Sequence, residues 1–416
     1  MLTISPLKLR WLRMTGALPT TAQIEARRHA LEGKYQRYKE FVGSEEYRRY
    51  QQLLQLRQEG QIDQARERVQ LEQFRGSKEE GMLEDLKRLS RQKEVRLASR
   101  GKGDVNNPEY QRYQELVAAT SRDEFKARVA YLKNKHRFET TEMGQAAREL
   151  EQLSKSRELR WCKQQMDKEA FVDLVQREEL LFDDFEGDSL DRARWSPRFF
   201  WADALLHHPY SLATDPHCYT DGKNVRVANG DLVIELRPEQ AEGLAWDGAM
   251  GFVPHHFDYT SGLVCTGHSF RFQRGLLEAK IRFTWARGVY HALYLVGDRM
   301  LPQVDLFRSD PEREGVVNAV YSEGDMRGNG SFTPRVESDG VGRLPFASEY
   351  FIASLEWTET EMVWRLNGRE YMRRTGSMPK EPLYLVIASG AVPGTELTHP
   401  VRLEVDWVRC LSERRG

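Results

Sequence analysis

Few side chains in this 416-residue chain are of types and spacings that do chemistry, and each has a plain structural rival. Asp305 has Arg308 three residues on, so it is either a working carboxylate or one neutralised by its neighbour. Tyr290 and Tyr294 share one face of a strand by period-2 alternation, with His291 on the other. Two such phenols can stack on a ligand or fill a core. The same choice holds for Trp285 just before them and for Trp246 in an earlier loop. His207-His208 and His255-His256 are adjacent pairs that project to opposite faces, which argues against either pair holding a metal. Cys162, Cys218, Cys265 and Cys410 lie far apart with no CxxC or Cys/His cluster. Neither a disulfide framework nor a zinc site is expected. Ser261 and Ser322 have no His/Asp partner at a recognisable spacing, so serine-hydrolase chemistry has no support.

The elements that would position these residues differ between the two halves. From about residue 181 the runs are short, alternating and separated by turn signals. Asn229-Gly230 stands between two apolar runs, a hairpin signal, and Gly275 to Phe283 and Val289 to Val296 read as strands. Thirteen of the sixteen prolines and seven of the nine tryptophans fall here. Residues 1–180 are rich in Glu, Arg, Gln and Leu, which favour helix. The helical half carries net +7 and the β half net −8, which nearly cancel to −1. That balance excludes a strongly basic nucleic-acid binder. Mean hydropathy is −0.66. No apolar run approaches the ~18–20 residues of a membrane span. Arg10, Arg13 and Pro19 interrupt any apolar start, so no signal peptide is expected.

The helical half contains a worn duplication. Tyr35-Gln-Arg-Tyr38 recurs as Tyr110-Gln-Arg-Tyr113, and Leu86-x-x-Leu89-Ser90 as Leu150-x-x-Leu153-Ser154. The offset falls from 75 to 64, which places extra residues in the first copy near Gly60 or Gly76. The predicted domains are an extension over 1–20, helical repeat 1 over 21–104 and helical repeat 2 with a connecting helix over 105–180. A β-sandwich over 181–416 follows. Each repeat reads as a helical hairpin or coiled-coil unit whose apolar stripe packs in a bundle.

The order of the β-half segments is similar to that of glycoside hydrolase family 16, the laminarinase, lichenase and agarase family. Leu181-Phe-Asp-Asp-Phe-Glu-Gly187 with Trp195 resembles its opening strand, and Tyr259-Thr-Ser-Gly262 followed by Gly275-Leu-Leu-Glu-Ala-Lys-Ile281 its next block. Gly288-Val-Tyr-His-Ala-Leu-Tyr294 sits at its tryptophan-rich strand. Trp364-Arg-Leu-Asn-Gly368 and Val405-Asp-Trp-Val-Arg409 resemble its late hairpin and closing strand. The resemblance runs collinearly from about 181 to 412 and implies an antiparallel concanavalin A-like jelly roll.

It also implies where the acids should be. The family carries Glu-x-Asp-x-x-Glu on a bulged strand or Glu-x-Asp-x-Glu on a regular one, and retaining hydrolysis needs two carboxyls ~5–5.5 Å apart. The matching stretch is Gln303-Val-Asp305-Leu-Phe307-Arg308. Gln303 stands at the nucleophile position. Arg308 takes the acid/base position in the bulged register, or Phe307 in the regular one. No catalytic residue is therefore intact, unless Glu312 or Glu314 folds back to substitute. Trp246, Trp285, Tyr290 and Tyr294 are the candidate glycan platforms. Asp406 matches an aspartate near a structural calcium in relatives; no other cofactor is implied.

The reading is a catalytically disabled family 16-like protein that binds carbohydrate or acts as a scaffold, with a helical arm for partners or self-association. One rival is an active endo-β-glucanase or galactanase with relocated carboxylates. The other is a structural part of a cell-surface or virus-like assembly. Whether the chain is an enzyme stays open, leaning against. No nucleic acid or membrane span is expected, and the missing signal implies cytoplasmic synthesis with non-classical export or incorporation into an assembly.

Overall fold

Period-2 alternation puts one side of each β-half strand in a core, and two sheets form to share it. The computed structural model describes residues 2–167, 170–298, 301–326, 332–342 and 348–414. A seven-stranded sheet runs in the order Leu2–Ile4, Phe332–Val341, Val317–Met326, Gln303–Ser309, Val289–Val296, Tyr384–Ala391, Leu263–Cys265. An eight-stranded sheet runs Arg369–Thr375, Glu361–Leu366, Phe351–Trp357, Gly275–Phe283, Val401–Leu411, Asp231–Leu236, Val225–Ala228, with Glu179–Asp183 also paired to Val401–Leu411. Their inner faces meet in one core that holds Leu293, Val304, Phe307 and Tyr321 from the first sheet and Leu277, Ile281, Trp364 and Leu403 from the second. The expected Asn229-Gly230 hairpin is present, both residues at positive φ, joining Val225–Ala228 to Asp231–Leu236. The chain is thus helical hairpins followed by an antiparallel jelly roll.

The boundaries differ from those drawn on the sequence. The compact units are Met1–Glu32 with Val172–Gly416, and Gly33–Phe171. Residues 1–20 are not a free extension. Leu2–Ile4 adds to the sheet as a parallel edge strand, and helix Pro6–Met14 follows, capped by the Ser5 hydroxyl. Its Leu9 and Leu12, with Ile4 and Leu18, are buried in the sandwich core. The sequence missed this because the partners lie more than 300 residues away.

The helical unit keeps the duplication but not the predicted split at 104/105. Ser44, Ser77 and Thr141 cap their helices through side-chain oxygens. The hairpin Glu45–Gln58 and Gln61–Leu71 packs on Glu142–Ser154, a helix of the second copy. Conversely Lys78–Leu89 of the first copy packs on Pro108–Ser121 and Asp123–Lys133. The two copies exchange their third helices and share cores such as Tyr50, Leu53, Ile62, Leu150 and Leu159. A cut at 104 would leave both apolar faces open to water. Among the described residues no helix is long and apolar enough to cross a membrane.

Candidate functional site

In a regular strand, residues 305 and 308 would face opposite sides of the sheet. The strand Gln303–Ser309 is not regular. Tyr294 opposes Asp305 and Leu293 opposes Phe307, which leaves Leu306 as an extra residue. Leu306 and Phe307 both enter the core, at 1% and 0% exposure. The indole N–H of Trp364, on the other sheet, donates to the Asp305 carbonyl at 2.9 Å. The bulge therefore settles which way the two side chains face: Arg308 points outward and Phe307 is core.

Gln303, Asp305 and Arg308 now lie in one row on the outward face. The Gln303 amide donates to Asp305 Oδ1 at 2.6 Å, and Arg308 Nε donates to Oδ2 at 2.5 Å. Burial opposes the Arg308 charge, but Asp305 beside it outweighs burial and holds the guanidinium above its ordinary pKa. The row offers an amide at 303 and a permanent cation at 308. Its one carboxylate has both oxygens engaged. Glu312 does not fold back, its side chain pairing with Arg287 at 3.2 Å, and Glu314 is exposed.

Tyr290 and Tyr294 share the outward face, as alternation required, and His291 points inward. Burial lowers the His291 pKa to about 4, and its ring bonds Ser389 Oγ and the Thr284 carbonyl: a core histidine. The two tyrosines part company in their surroundings. Tyr294 packs against a second apolar cluster that includes Tyr219, Leu263, Val386 and Tyr384, with Phe199 and Phe200 laid over it. Tyr290 carries the Arg308 guanidinium 4.8 Å over its ring, and its hydroxyl lies 3.4 Å from that of Tyr219. Gly390 opposite makes this approach feasible, since a Cβ there would stand 2.4 Å from the Tyr290 hydroxyl.

From Tyr290 an aromatic run leads outward. Phe199 meets Tyr219 edge-on at 5.3 Å and Tyr210 at 5.5 Å; Phe252 follows at 5.1 Å, and Trp246 lies 4.8 Å beyond it. Trp246 sits on Ala241–Asp247, in a small sheet with Tyr210–Leu212 and Gly251–Phe257, and is 41% exposed. It keeps its place as a candidate platform. Trp285 does not: its ring packs on the main core and its N–H donates to the Asp310 carbonyl at 2.8 Å.

Sequence reasoning missed His217, Tyr219 and Asp215, because the strand His217–Tyr219 reaches the site through pairing with Tyr259–Ser261, some 40 residues on. His217 is fully buried, its pKa lowered to about 4 by burial. Asp215 is half-buried and raised to about 6 by burial, and its charge acts on both Tyr219 and Tyr290. The Asp406 carboxylate takes Lys280 Nζ at 3.0 Å, and that ammonium also binds Glu25 at 2.8 Å. Among the described residues no three His, Cys, Asp or Glu side chains converge. A resident ammonium is the wrong neighbour for a divalent ion, so these residues do not fit a calcium site.

The comparisons find β-glucan hydrolases similar to the β half of this chain. The chain is 21% identical over 276 residues to glucan endo-1,3-beta-glucosidase A1 of Niallia circulans, covering 56% of this chain and 37% of that one. It is 25% identical over 194 residues to the endo-1,3-1,4-beta-glycanase ExsH of Rhizobium meliloti, covering 45% and 39%. This chain thus spans about two fifths of the length of these curated relatives. A solved laminarinase catalytic domain from Thermotoga petrophila aligns with 57% of this chain and 99% of its own at 20% identity, with a TM-score of 0.46. No family model matches the chain. The stretch read from residues 181–412 as similar to glycoside hydrolase family 16 is the one these relatives match, and the helical half lies outside it.

Proposed function

We propose that this chain is a catalytically silent family 16-like protein that binds a glycan along the outward face of its seven-stranded sheet. The helical unit serves protein partners or self-association. The closed row Gln303–Asp305–Arg308 carries the reading. Retaining hydrolysis needs two carboxyls ~5–5.5 Å apart, one free to give a proton. Here one carboxylate is held by an amide and a guanidinium. Trp246, exposed at the outer end of the aromatic run, remains as the platform on which a pyranose face stacks. The test pairs glycan binding with an assay for new reducing ends on β-1,3- and mixed-linkage β-glucans. Binding without release, weakened by Trp246→Ala, supports the proposal; sustained release abolished by Asp305→Ala would sink it.

A second reading, hydrolysis with a relocated acid, is favoured by Asp215. It is the half-buried carboxyl near Tyr290 whose pKa of about 6 suits proton donation. Sugar release lost in Asp215→Asn would favour it over the first.

A further inference from the structure

This inference rests on the glycan-binding reading and names the glycan's class: we propose that the face around Tyr290 takes an acidic sugar, carrying a carboxylate or a sulfate ester. Both oxygens of Asp305 are taken, one by Gln303 and one by Arg308. Arg308 spends only Nε on that bond. Its two Nη groups make no hydrogen bond to any described residue, and the side chain is 27% exposed. Asp305 at one edge and the Tyr290 ring below fix the plane of the guanidinium. A fixed fork with a free edge matches two oxygens of a carboxylate or sulfate.

A second, independent donor lies against the Tyr290 ring. His217 Nδ1 accepts the Ala391 N–H at 3.1 Å, so the neutral ring carries its proton on Nε2. That N–H is buried and has no acceptor, an arrangement native structures seldom leave unused. The His217 ring meets the Tyr219 ring edge-on at 4.8 Å and the Tyr290 ring at 6.2 Å. The two phenols share one hydrogen bond, which leaves one O–H over. The other carboxyl acting on these phenols is Asp215, already bonded by the Leu212 N–H at 3.1 Å. A neutral sugar hydroxyl brings a donor of its own to a place already rich in donors. A carboxylate or sulfate brings acceptors only.

The experiment titrates the full chain with three probes on one backbone. They are a β-1,3-glucan hexasaccharide, its C6-oxidised glucuronate form and its sulfated form. Binding of at least one acidic probe ~10-fold or more tighter than the neutral one is expected, and the two acidic arms tell carboxylate from sulfate. Arg308→Gln should erase the preference, and Arg308→Lys should keep part of it. If Arg308→Gln fails to fold, Asp305→Asn/Arg308→Gln removes both charges together. Equal affinity for all three probes, lowered uniformly by Trp246→Ala, would overturn this inference and leave the glycan reading standing. A preference that survives in folded Arg308→Gln overturns it too. Silence with every probe overturns both.

Discussion

At the scale of single residues, the proposed silence of the site rests on two side chains, Gln303 and Arg308. Replacing both, Gln303→Glu with Arg308→Glu, should produce slow release of sugar from β-1,3-glucan, roughly 10²-fold above the parent. Either change alone should stay silent, because one carboxyl cannot act as both nucleophile and acid. A silent double variant that still binds glycan would show that the row has lost more than its acids. Asp215 supplies a pH signature. Its folded pKa is raised to about 6 against ~3.9 in an unfolded chain. The folded state holds that proton more tightly, so the stabilisation is full below pH ~4 and is lost as pH rises through 6. The swing is about 2 kcal/mol once partial exposure is allowed for. Denaturant unfolding at pH 4.5 and 7.5 should therefore differ less in Asp215→Asn than in the parent; an equal difference would count against a buried acid. The shared face of Tyr290 and Tyr294 was legible in the sequence, because alternation is local. The role of His217 was not, since its partners at 219, 290 and 391 meet only through strand pairing.

At the scale of elements, the bulged strand is the part that makes the site. Leu306 and Phe307 both go inward, and the Trp364 indole anchors the Asp305 carbonyl. Trp364→Phe removes that donor from a buried acceptor and should cost ~1–3 kcal/mol. Glycan affinity should fall with it as the row loosens; a stability loss with unchanged affinity would mean the bulge holds without the indole. The strand opposite gives a sharper case. Gly390→Ala pushes a methyl against the Tyr290 hydroxyl and His217, with a cost of about 1–3 kcal/mol. The near-ultraviolet tyrosine signal and the binding constant should change together. In the helical unit, the repeat was visible in Tyr35/Tyr38 and Tyr110/Tyr113, whose rings stack in both copies. Which copy each third helix chose was not visible, since that choice is made by contacts between segments distant in sequence.

At the scale of the whole molecule, the sandwich is discontinuous in sequence, with residues 33–171 as a unit of their own. Leu12 is 2% exposed in the sandwich core. Leu12→Ala should lower the stability of the sandwich by ~2–5 kcal/mol and leave the helical unit's transition in place. Two-probe thermal unfolding, with tryptophan fluorescence for the sandwich and helical ellipticity for the other unit, would check this. A shift in the helical transition alone would contradict the placement of residues 1–32. The charges of Glu25 and Arg28, which pair with Lys280 and Glu278, belong to this same attachment. They read from the sequence as an ordinary helix surface.

Local pattern was enough for the strands of the β half, the Asn229-Gly230 hairpin and the common face of the tyrosines. All of these follow from residue type and from periods of two to four residues. Only the tertiary structure decided that the strand bulges, so that Arg308 and not Phe307 faces outward. It likewise decided that Trp285 is core, that Lys280 holds Asp406, and that the first twenty residues complete the sandwich. Each of those outcomes turns on which distant side chain supplies the burial or the opposite charge, and no local pattern carries that information.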